Sequence, residues 1–400
     1  MNTAPIPAHV PPALVADVDI YDLPGADVDP QLAWKAIDRP DGPGLVWSPR
    51  HGGHWIVTRG DLAIGIMGDL ERFSAKELSV PRGILPLALI PNQSDNPEHD
   101  HYRRILLPFL LPKAVAALRD RVRALAIELI EGFLPRGRCD FVADFSKHLP
   151  MSIFLTLVDL PEKDRSWLVA RADVMVRSGD ASARLTALRE MQNYLQAWID
   201  KRGEKPGSDL LSAIVHGRVG ERPMNAEEVM GEALDVMFGG LDTVASMMAG
   251  IMKHLATHPE HYQALVANPS SIPAAVEEML RRYAVATVGR VALQDIKLDG
   301  VLVKADDMII TPTTMHSLDE RLWSNPAEVD FSRPLGNGIG TFGVGGHKCP
   351  GERLARSEII IMLEEWTRRI PAMRMENTPA HRGLSGAVIG MTELHLVWEN

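Results

Sequence analysis

The sequence predicts a mainly α protein with a minor β region, organised as a single large helix-rich domain over residues 1–400. Three observations carry this expectation. From about 95 to 265, apolar residues recur at intervals of three and four, as in AVAALRDRVRALAIELIEGFL (114–134) and SARLTALREMQNYLQAWIDKR (182–202), the period of amphipathic core helices. Strand patterning is confined to short stretches near 45–58, 289–312 and the C-terminus. No repeat or low-complexity linker divides the chain, although 400 residues by length alone would suggest two or three domains.

The elements follow in order. Residues 1–30 read as an irregular N-terminal arm, because prolines at 5, 7, 11 and 12 deny it regular hydrogen bonding. Leu45-Val46-Trp47 and His54 to Thr58, separated by SPRHGG, read as a β-hairpin. Asn225-Ala-Glu-Glu228 is a capping-box signature that opens a long central helix over 225–258, stopped by Pro259. At about 45 Å such a helix crosses a whole molecule. Ile296–Leu298 and Val301–Val303 flank Asp299-Gly300, a tight-turn signal. The irregular stretch 317–346, rich in Gly, Pro, Asn and Ser, is too long for an ordinary connection and is therefore expected to serve a site. It leads into a cysteine loop and following helix, residues 336–369, and VIGMTELHLVWEN closes the chain as an alternating strand.

Composition narrows the function classes. Apolar residues make up 46% and charged residues 24%, enough for a sizeable core, and a net charge of −10 opposes general attraction to nucleic acid or anionic lipid. No nucleic-acid partner and no membrane are expected. Cys139 and Cys349 are too few for a disulfide framework and suit a reducing cytoplasm. The N-terminus has no basic start followed by an apolar run. The most apolar stretch, Val236 to Met252, is shorter than a membrane span and is broken by Asp242. A cytoplasmic location is the expectation.

The second cysteine lies in FGVGGHKCPGERLAR, Phe342 to Arg356. An arbitrary cysteine is most often a small buried hydrophobe. Here Gly343, Gly345, Gly346 and Gly351 strip side chains from around the sulfur, so that backbone and a flat ligand can approach. The helix start after Pro350 offers unpaired N–H groups and a positive dipole end, which favour a thiolate. One cysteine cannot build a zinc or iron–sulfur site, whereas haem iron needs a single proximal ligand. The stretch fits, position by position, the haem-binding signature Phe-Gly-x-Gly-x-His-x-Cys-x-Gly, and so resembles the cytochrome P450 family of haem-thiolate monooxygenases. The resemblance implies that fold, haem b as cofactor, Cys349 as the iron ligand, and Phe342, Gly343 and Gly351 as parts of its cradle. Gly338-Ile-Gly340-Thr-Phe-Gly343 also satisfies G-x-G-x-x-G, but Asp330 to Pro334 before it do not read as a buried strand, so a dinucleotide site is rejected.

In the long helix, Asp242 is the only charge between Asp235 and Lys253, beside Gly239 and Gly240, each costing a helix interior about 1 kcal/mol. Either a neighbouring helix packs closely on these glycines, or they open a notch over the haem. Heterolytic cleavage of the O–O bond needs two protons at the distal oxygen, and an acid next to a hydroxyl, Asp242 and Thr243, is the pair that chemistry requires. The segment matches the family's Gly-Gly-x-Asp-Thr motif.

Further assignments follow from the resemblance. Glu278 and Arg281, an i, i+3 pair, would be buried and braced by Arg333. His99, Arg103, Arg290 and His347 fall where the family holds the haem propionates. His99 and His101 could instead be a metal pair or plain surface residues, but no third zinc ligand is close in sequence. His254 and His258 read as a favourable helix C-terminus, not as a site. Arg104, Lys113 and Lys348 are either docking charges for an acidic electron donor or ordinary solvated residues.

The likeness covers nearly the whole chain and runs closest to the bacterial camphor hydroxylase group, whose members oxidise terpenoids. Departures sit in the pocket. Leu87 stands in PLALIP where the camphor enzyme has a tyrosine that hydrogen-bonds the substrate ketone, Ser79 replaces an aromatic residue, and Phe238 replaces a smaller one. Asp235 occupies a leucine position and either anchors a substrate polar group or faces water or a cation. The expected pocket is Leu87, Asp235, Phe238, Gly239, Ala286 and Val388. The implied activity is insertion of one oxygen atom of dioxygen into a small apolar terpenoid or norisoprenoid, with electrons from a two-iron ferredoxin and a flavin ferredoxin reductase. The alternative is a haem-thiolate sensor or carrier without turnover, for which proton delivery by Asp242 and Thr243 would have no use.

Overall fold

The computed structural model describes residues 3–83, 86–177, 180–335, 338–376 and 383–399. Helices follow one another as α1 (Pro30–Lys35), α2 (Gly60–Gly68), α3 (Glu98–Leu110), α4 (Pro112–Phe133), α5 (His148–Leu157), α6 (Arg165–Arg177), α7 (Ala181–Glu204), α8 (Leu210–Val215), α9 (Ala226–Thr257), α10 (Pro259–Ala267), α11 (Ile272–Arg282), α12 (Thr313–Ser317) and α13 (Glu352–Arg369). The mainly α expectation holds, and the two helices read from periodicity at 114–134 and 182–202 are α4 and α7. The arm is irregular apart from a single 3-10 turn at Pro12–Leu14.

The hairpin strands β1 (Leu45–Ser48) and β2 (His54–Val57) pair antiparallel, with Val46 opposite Ile56. They do not stand alone. β3 (Phe73–Ser74), β7 (Thr287–Ala292) and β10 (Met308–Pro312) complete a five-stranded sheet in the order β1-β2-β10-β7-β3. Outside it lie β4 (Arg138–Asp140), the hairpins β5 (Arg218–Val219) with β6 (Arg222–Pro223) and β8 (Ile296–Leu298) with β9 (Val301–Val303), and the strands near the C-terminus. In the β8–β9 turn Asp299 and Gly300 take φ of 49° and 80°, the mirror-image turn that the Asp-Gly pair favours.

The closing strand is broken rather than continuous. β13 (Gly390–Met391) pairs with β12 (Gly383–Leu384), whereas β14 (His395–Val397) lies between β4 and β11 (Arg374–Met375). The two halves of the alternating stretch serve different sheets.

Helix α9 organises the molecule. Its capping box forms as read: Asn225 Oδ1 accepts from Glu228 N at 2.9 Å and Glu228 Oε2 accepts from Asn225 N at 2.7 Å. Its first half buries Met230, Leu234 and Met237 in one core, and its second half buries Met248, Ile251, Met252 and Leu255 in another. The second core also holds Phe133, Phe141, Phe145 and Trp366, with Phe141 and Trp366 edge to face at 5.4 Å. By length and composition α9 could cross a membrane, but 59% of its most apolar window is buried in protein, as in a core helix. His254 does not supply the positive helix terminus expected of it. It is 5% exposed, and burial followed by repulsion from His258 and His261 pushes its pKa down to about 3, so the ring is neutral.

Candidate haem site and oxygen-facing helix

The cysteine loop is pressed against the end of α2. Residues 336–337, where the loop is expected to begin, lie outside the described residues. Gly343 adopts φ 68° and ψ −171°, a region closed to residues with a Cβ. A Cβ on Gly345 would lie 3.1 Å from Gly68 Cα, and one on Gly346 would lie 2.7 Å from Leu70 Cδ1. Cys349 N donates to Phe342 O at 2.9 Å, closing the loop into a cradle. The Arg356 guanidinium covers the Phe342 ring at 4.5 Å and is itself held by Glu277 and Glu352. No strand leads into residues 338–343 among the described residues, in keeping with rejection of the dinucleotide reading.

The thiolate expectation needs correction. The Gly351 N–H and the Arg103 charge do lower the Cys349 pKa, but burial outweighs them and raises it. The protein alone therefore favours the thiol, and a bound cation is needed to drive the proton off.

Four expected propionate contacts come together beside the loop. The His99 and His347 rings lie 3.9 Å apart between centroids, tilted by 37°, with His99 only 1% exposed. His99 Nε2, His347 Nε2 and Arg290 Nε are buried without a hydrogen-bond partner. Burial, then mutual repulsion, lowers the His347 pKa to about 3, and burial lowers that of Arg290 to about 10. Arg103 donates to the Lys348 carbonyl, tying α3 to the loop. Orphaned buried nitrogens are costly, and several in one place call for an acceptor of negative charge. The two carboxylates of a haem b meet that need, so the residues present fit the cofactor. His101 faces elsewhere, bonding Arg104 Nη2 at 3.0 Å, so His99 and His101 do not form a metal pair.

Behind the cradle the charges are fully matched. Arg281, 0% exposed, places Nε and Nη2 each 2.8 Å from the Glu278 carboxylate, and Arg333 Nε adds a third bond at 2.9 Å. Arg281 also donates to the carbonyls of Ser317, Pro326 and Glu328. The long irregular segment is thus pinned from inside.

On the other side lies one face of α9. The helix is unbroken through Gly239 and Gly240, and a Cβ on either would meet nothing within 4 Å, so close helix packing is not their purpose. The notch is a lack of side chains, not a break. Thr243 Oγ1 donates to Gly239 O at 2.7 Å, with Asp242 adjacent. One turn earlier Asp235 is buried; its Oδ1 accepts from Asn92 Nδ2 at 2.9 Å, and burial raises its pKa to about 7. Its charge also contributes to raising the Cys349 pKa. Ala286 and Val388 sit opposite each other in an isolated β-bridge, and Leu87 and Phe238, both half-buried, pack on the same apolar cluster.

Sequence reasoning missed two acids. Glu232 is 0% exposed with both oxygens unpartnered, and burial, aided by Asp235, raises its pKa to about 9. Glu358 on α13 is buried likewise and raised to about 8. The signal for Glu232 was available: 228, 232, 235, 239 and 242 are spaced by four and three along one helix face.

The comparisons agree with this geometry. The cytochrome P450 family model matches residues 185–272 and 270–369. Probable cytochrome P450 127A1 of Sinorhizobium fredii is 32% identical over 413 aligned residues, covering 100% of this chain and 98% of that protein. The solved structure of cytochrome P450 CYP101C1 superposes with a TM-score of 0.91 at 41% identity, covering 99% of this chain and 100% of the other. That of CYP101J2 gives 0.90 at 37% identity, with coverage of 99% and 100%. The chain belongs to the cytochrome P450 family. It is a haem b monooxygenase, similar to the CYP101 group of the camphor hydroxylases, and the sensor or carrier alternative falls away.

Proposed function

We propose that this P450 oxidises a compact apolar terpenoid or norisoprenoid by hydroxylation or epoxidation, working in the cytoplasm as a single domain over 1–400, with electrons from a two-iron ferredoxin and its flavin reductase. The observation that carries this reading is the α9 face, where Gly239 and Gly240 leave open space and the Thr243 hydroxyl donates to the Gly239 carbonyl with Asp242 beside it. Haem b, when bound, would supply dioxygen binding and activation, with the two electrons for each turnover delivered from the ferredoxin. Cys349 would ligate its iron, and His99, Arg103, Arg290 and His347 would hold its propionates, with Phe342, Gly343 and Gly351 shaping the cradle. Asp242 would carry protons inward, and the Thr243 hydroxyl, held at the Gly239 carbonyl, would pass them to the distal oxygen.

Leu87, Phe238, Ala286 and Val388 would shape the substrate space. Leu87 offers no hydrogen bond, and Asp235 compensates. With a pKa near 7 its carboxyl is available as a neutral donor to a ketone or ether oxygen, steadied by Asn92. A substrate with one oxygen on an apolar skeleton suits that arrangement. The exposed cations Arg104, Lys113 and Lys348, the last adjacent to the ligand cysteine, would receive an acidic ferredoxin.

The test is a terpenoid panel added to the haem-loaded enzyme, read as the Soret shift on loss of iron-bound water. Oxygenated terpenoids should shift the band, and Thr243→Ala should then consume reductant while releasing hydrogen peroxide in place of product. A silent panel would overturn the substrate class, and undiminished coupling in Thr243→Ala would overturn the proton assignment.

A further inference from the structure

We propose that His254, His258 and His261 form a site for a divalent metal of the zinc class at the C-terminal end of α9, remote from the cysteine loop. The chain there reads HLATHPEH, with histidines spaced by four and then three. Pro259 stops α9 and begins α10, and the turn between them folds the third ring back toward the first two. Ring centroids lie 4.1 Å apart for His254 and His258, 5.1 Å for His254 and His261, and 5.8 Å for His258 and His261.

Two of the three rings already bring ligand nitrogens together, whereas His258 lies stacked on His254 with its Nε2 outside 4.8 Å of that pair and must turn to join them. His254 Nε2 is 2.8 Å from His261 Nδ1. A hydrogen bond between two imidazole nitrogens requires a lone pair on one and a proton on the other, so both atoms aim at a common point that a metal can take. The Tyr283 hydroxyl holds the far nitrogen of His254, Nδ1, at 2.9 Å. His258 Nδ1 lies 3.0 Å from the His254 carbonyl oxygen, which leaves its Nε2 for the metal. Metal-binding histidines are characteristically steadied in this way, by an acceptor or hydroxyl on the nitrogen that does not ligate. His258 is exposed, so its ring is free to leave its stack on His254 and turn Nε2 toward the other two.

The site also has an entrance. All three histidines border a cavity of about 580 Å³ that Ser246, Lys253 and Glu328 also line. Three imidazoles with a fourth position open to water or the Glu328 carboxylate make a tetrahedral zinc set. The two nearby cations are already engaged: Arg282 with Asp29 at 2.5 Å, and Lys253 with the Val28 carbonyl at 2.7 Å. Bound metal would clamp α9 to α10. A second trio, Asp140, Glu393 and His395, brings ligand atoms within 4.8 Å of one another, but Asp140 Oδ1 already caps the Val142 and Leu394 amides, so that trio serves as the control.

The experiment equilibrates haem-loaded protein with zinc ions, removes the excess by gel filtration, counts zinc by mass spectrometry and reads its ligands by X-ray absorption at the zinc edge. One equivalent with three imidazole ligands is expected. His258→Ala and His261→Ala should each weaken binding at least tenfold, and Tyr283→Phe by about tenfold. His395→Ala should leave it unchanged. Circular dichroism and the Soret band check that each variant remains folded, and exposed His258 is the substitution least able to disturb the fold. Zinc retained equally by the histidine variants, lost only with His395→Ala, or taken up weakly and in several equivalents by every protein would overturn the site.

Discussion

The two sides of the haem space are built on opposite electrostatic plans. Behind Cys349 most of the charges named have partners: buried Glu278 is shared by Arg281 and Arg333, and half-buried Glu352 by Lys348 and Arg356, with Glu358 on α13 the exception. Along the facing side of α9, Glu232 has no hydrogen-bond partner, and Asp235 leans on the neutral Asn92. Paired charges cannot change state without large cost, so the first plan fixes position. Unpaired acids with raised pKa values can gain or lose a proton near neutrality, so the second leaves a responsive surface where substrate and protons must be handled.

The strongest way to break this comparison is Arg281→Leu. The substitution takes two of four bonds from a buried carboxylate and removes the Arg281 donors from the Ser317, Pro326 and Glu328 carbonyls. Breaking a buried pair costs about 3–5 kcal/mol, a large part of a domain's total stability. Little folded, haem-loaded protein should accumulate, measured as Soret absorbance per unit of soluble protein. Normal loading would mean that the paired side is not the rigid one.

Asp235→Asn tests the responsive side. The Asp235 carboxyl rises from 3.8 to about 7 on folding, with Glu232 on its own helix and Asn92 from the adjoining loop as the groups beside it. Across that window the native state binds more protons than the unfolded chain. The favourable contribution is complete below about pH 4 and is lost as pH rises through about 7, on the order of 4 kcal/mol in all. Asparagine cannot ionise, so the variant should gain on the wild type between pH 5 and pH 8 in denaturant unfolding. Without the Asp235 charge the Glu232 pKa should fall somewhat, because that charge helps to raise it, while burial, the larger cause, remains in both proteins. A stability difference independent of pH would show that Asp235 is already hydrated.

How much of this was legible in the sequence differs between the same two sides. The cysteine loop and the α9 cap were readable because each rests on residues whose chemistry allows few arrangements at that spacing, whereas the Glu278–Arg281–Arg333 brace came only from the family resemblance, its i, i+3 spacing alone reading as a solvated pair. The glycine pair was ambiguous between packing and notch until the space beside it could be examined. The five-stranded sheet was only half visible, since β2 joins β10 across about 250 residues and periodicity carries no information about such pairing. Glu232 was passed over because a glutamate near a helix start reads as solvated surface, and only burial reveals otherwise. At Cys349 the local dipole was readable from the sequence, but the burial that raises the thiol's pKa in the protein alone depends on how the chain folds around it.

The smallest expected effect is the sharpest test of how the responsive side recognises substrate. Leu87→Tyr adds a neutral donor to the wall that already carries Asp235. If the substrate oxygen lies within reach of both, the new hydroxyl should contribute about 1 kcal/mol, about fivefold tighter binding of a ketone terpenoid by Soret titration. A hydrocarbon of the same skeleton, which has no acceptor, should gain nothing. The combination with Asp235→Asn separates two arrangements. If tyrosine and aspartic acid compete for one oxygen, the tyrosine should be worth more once Asp235 can no longer donate as an acid, and the two changes will not add. If they address different points, the gains will add, and Asp235 must then be assigned to the proton path along α9 with Glu232 in place of the substrate.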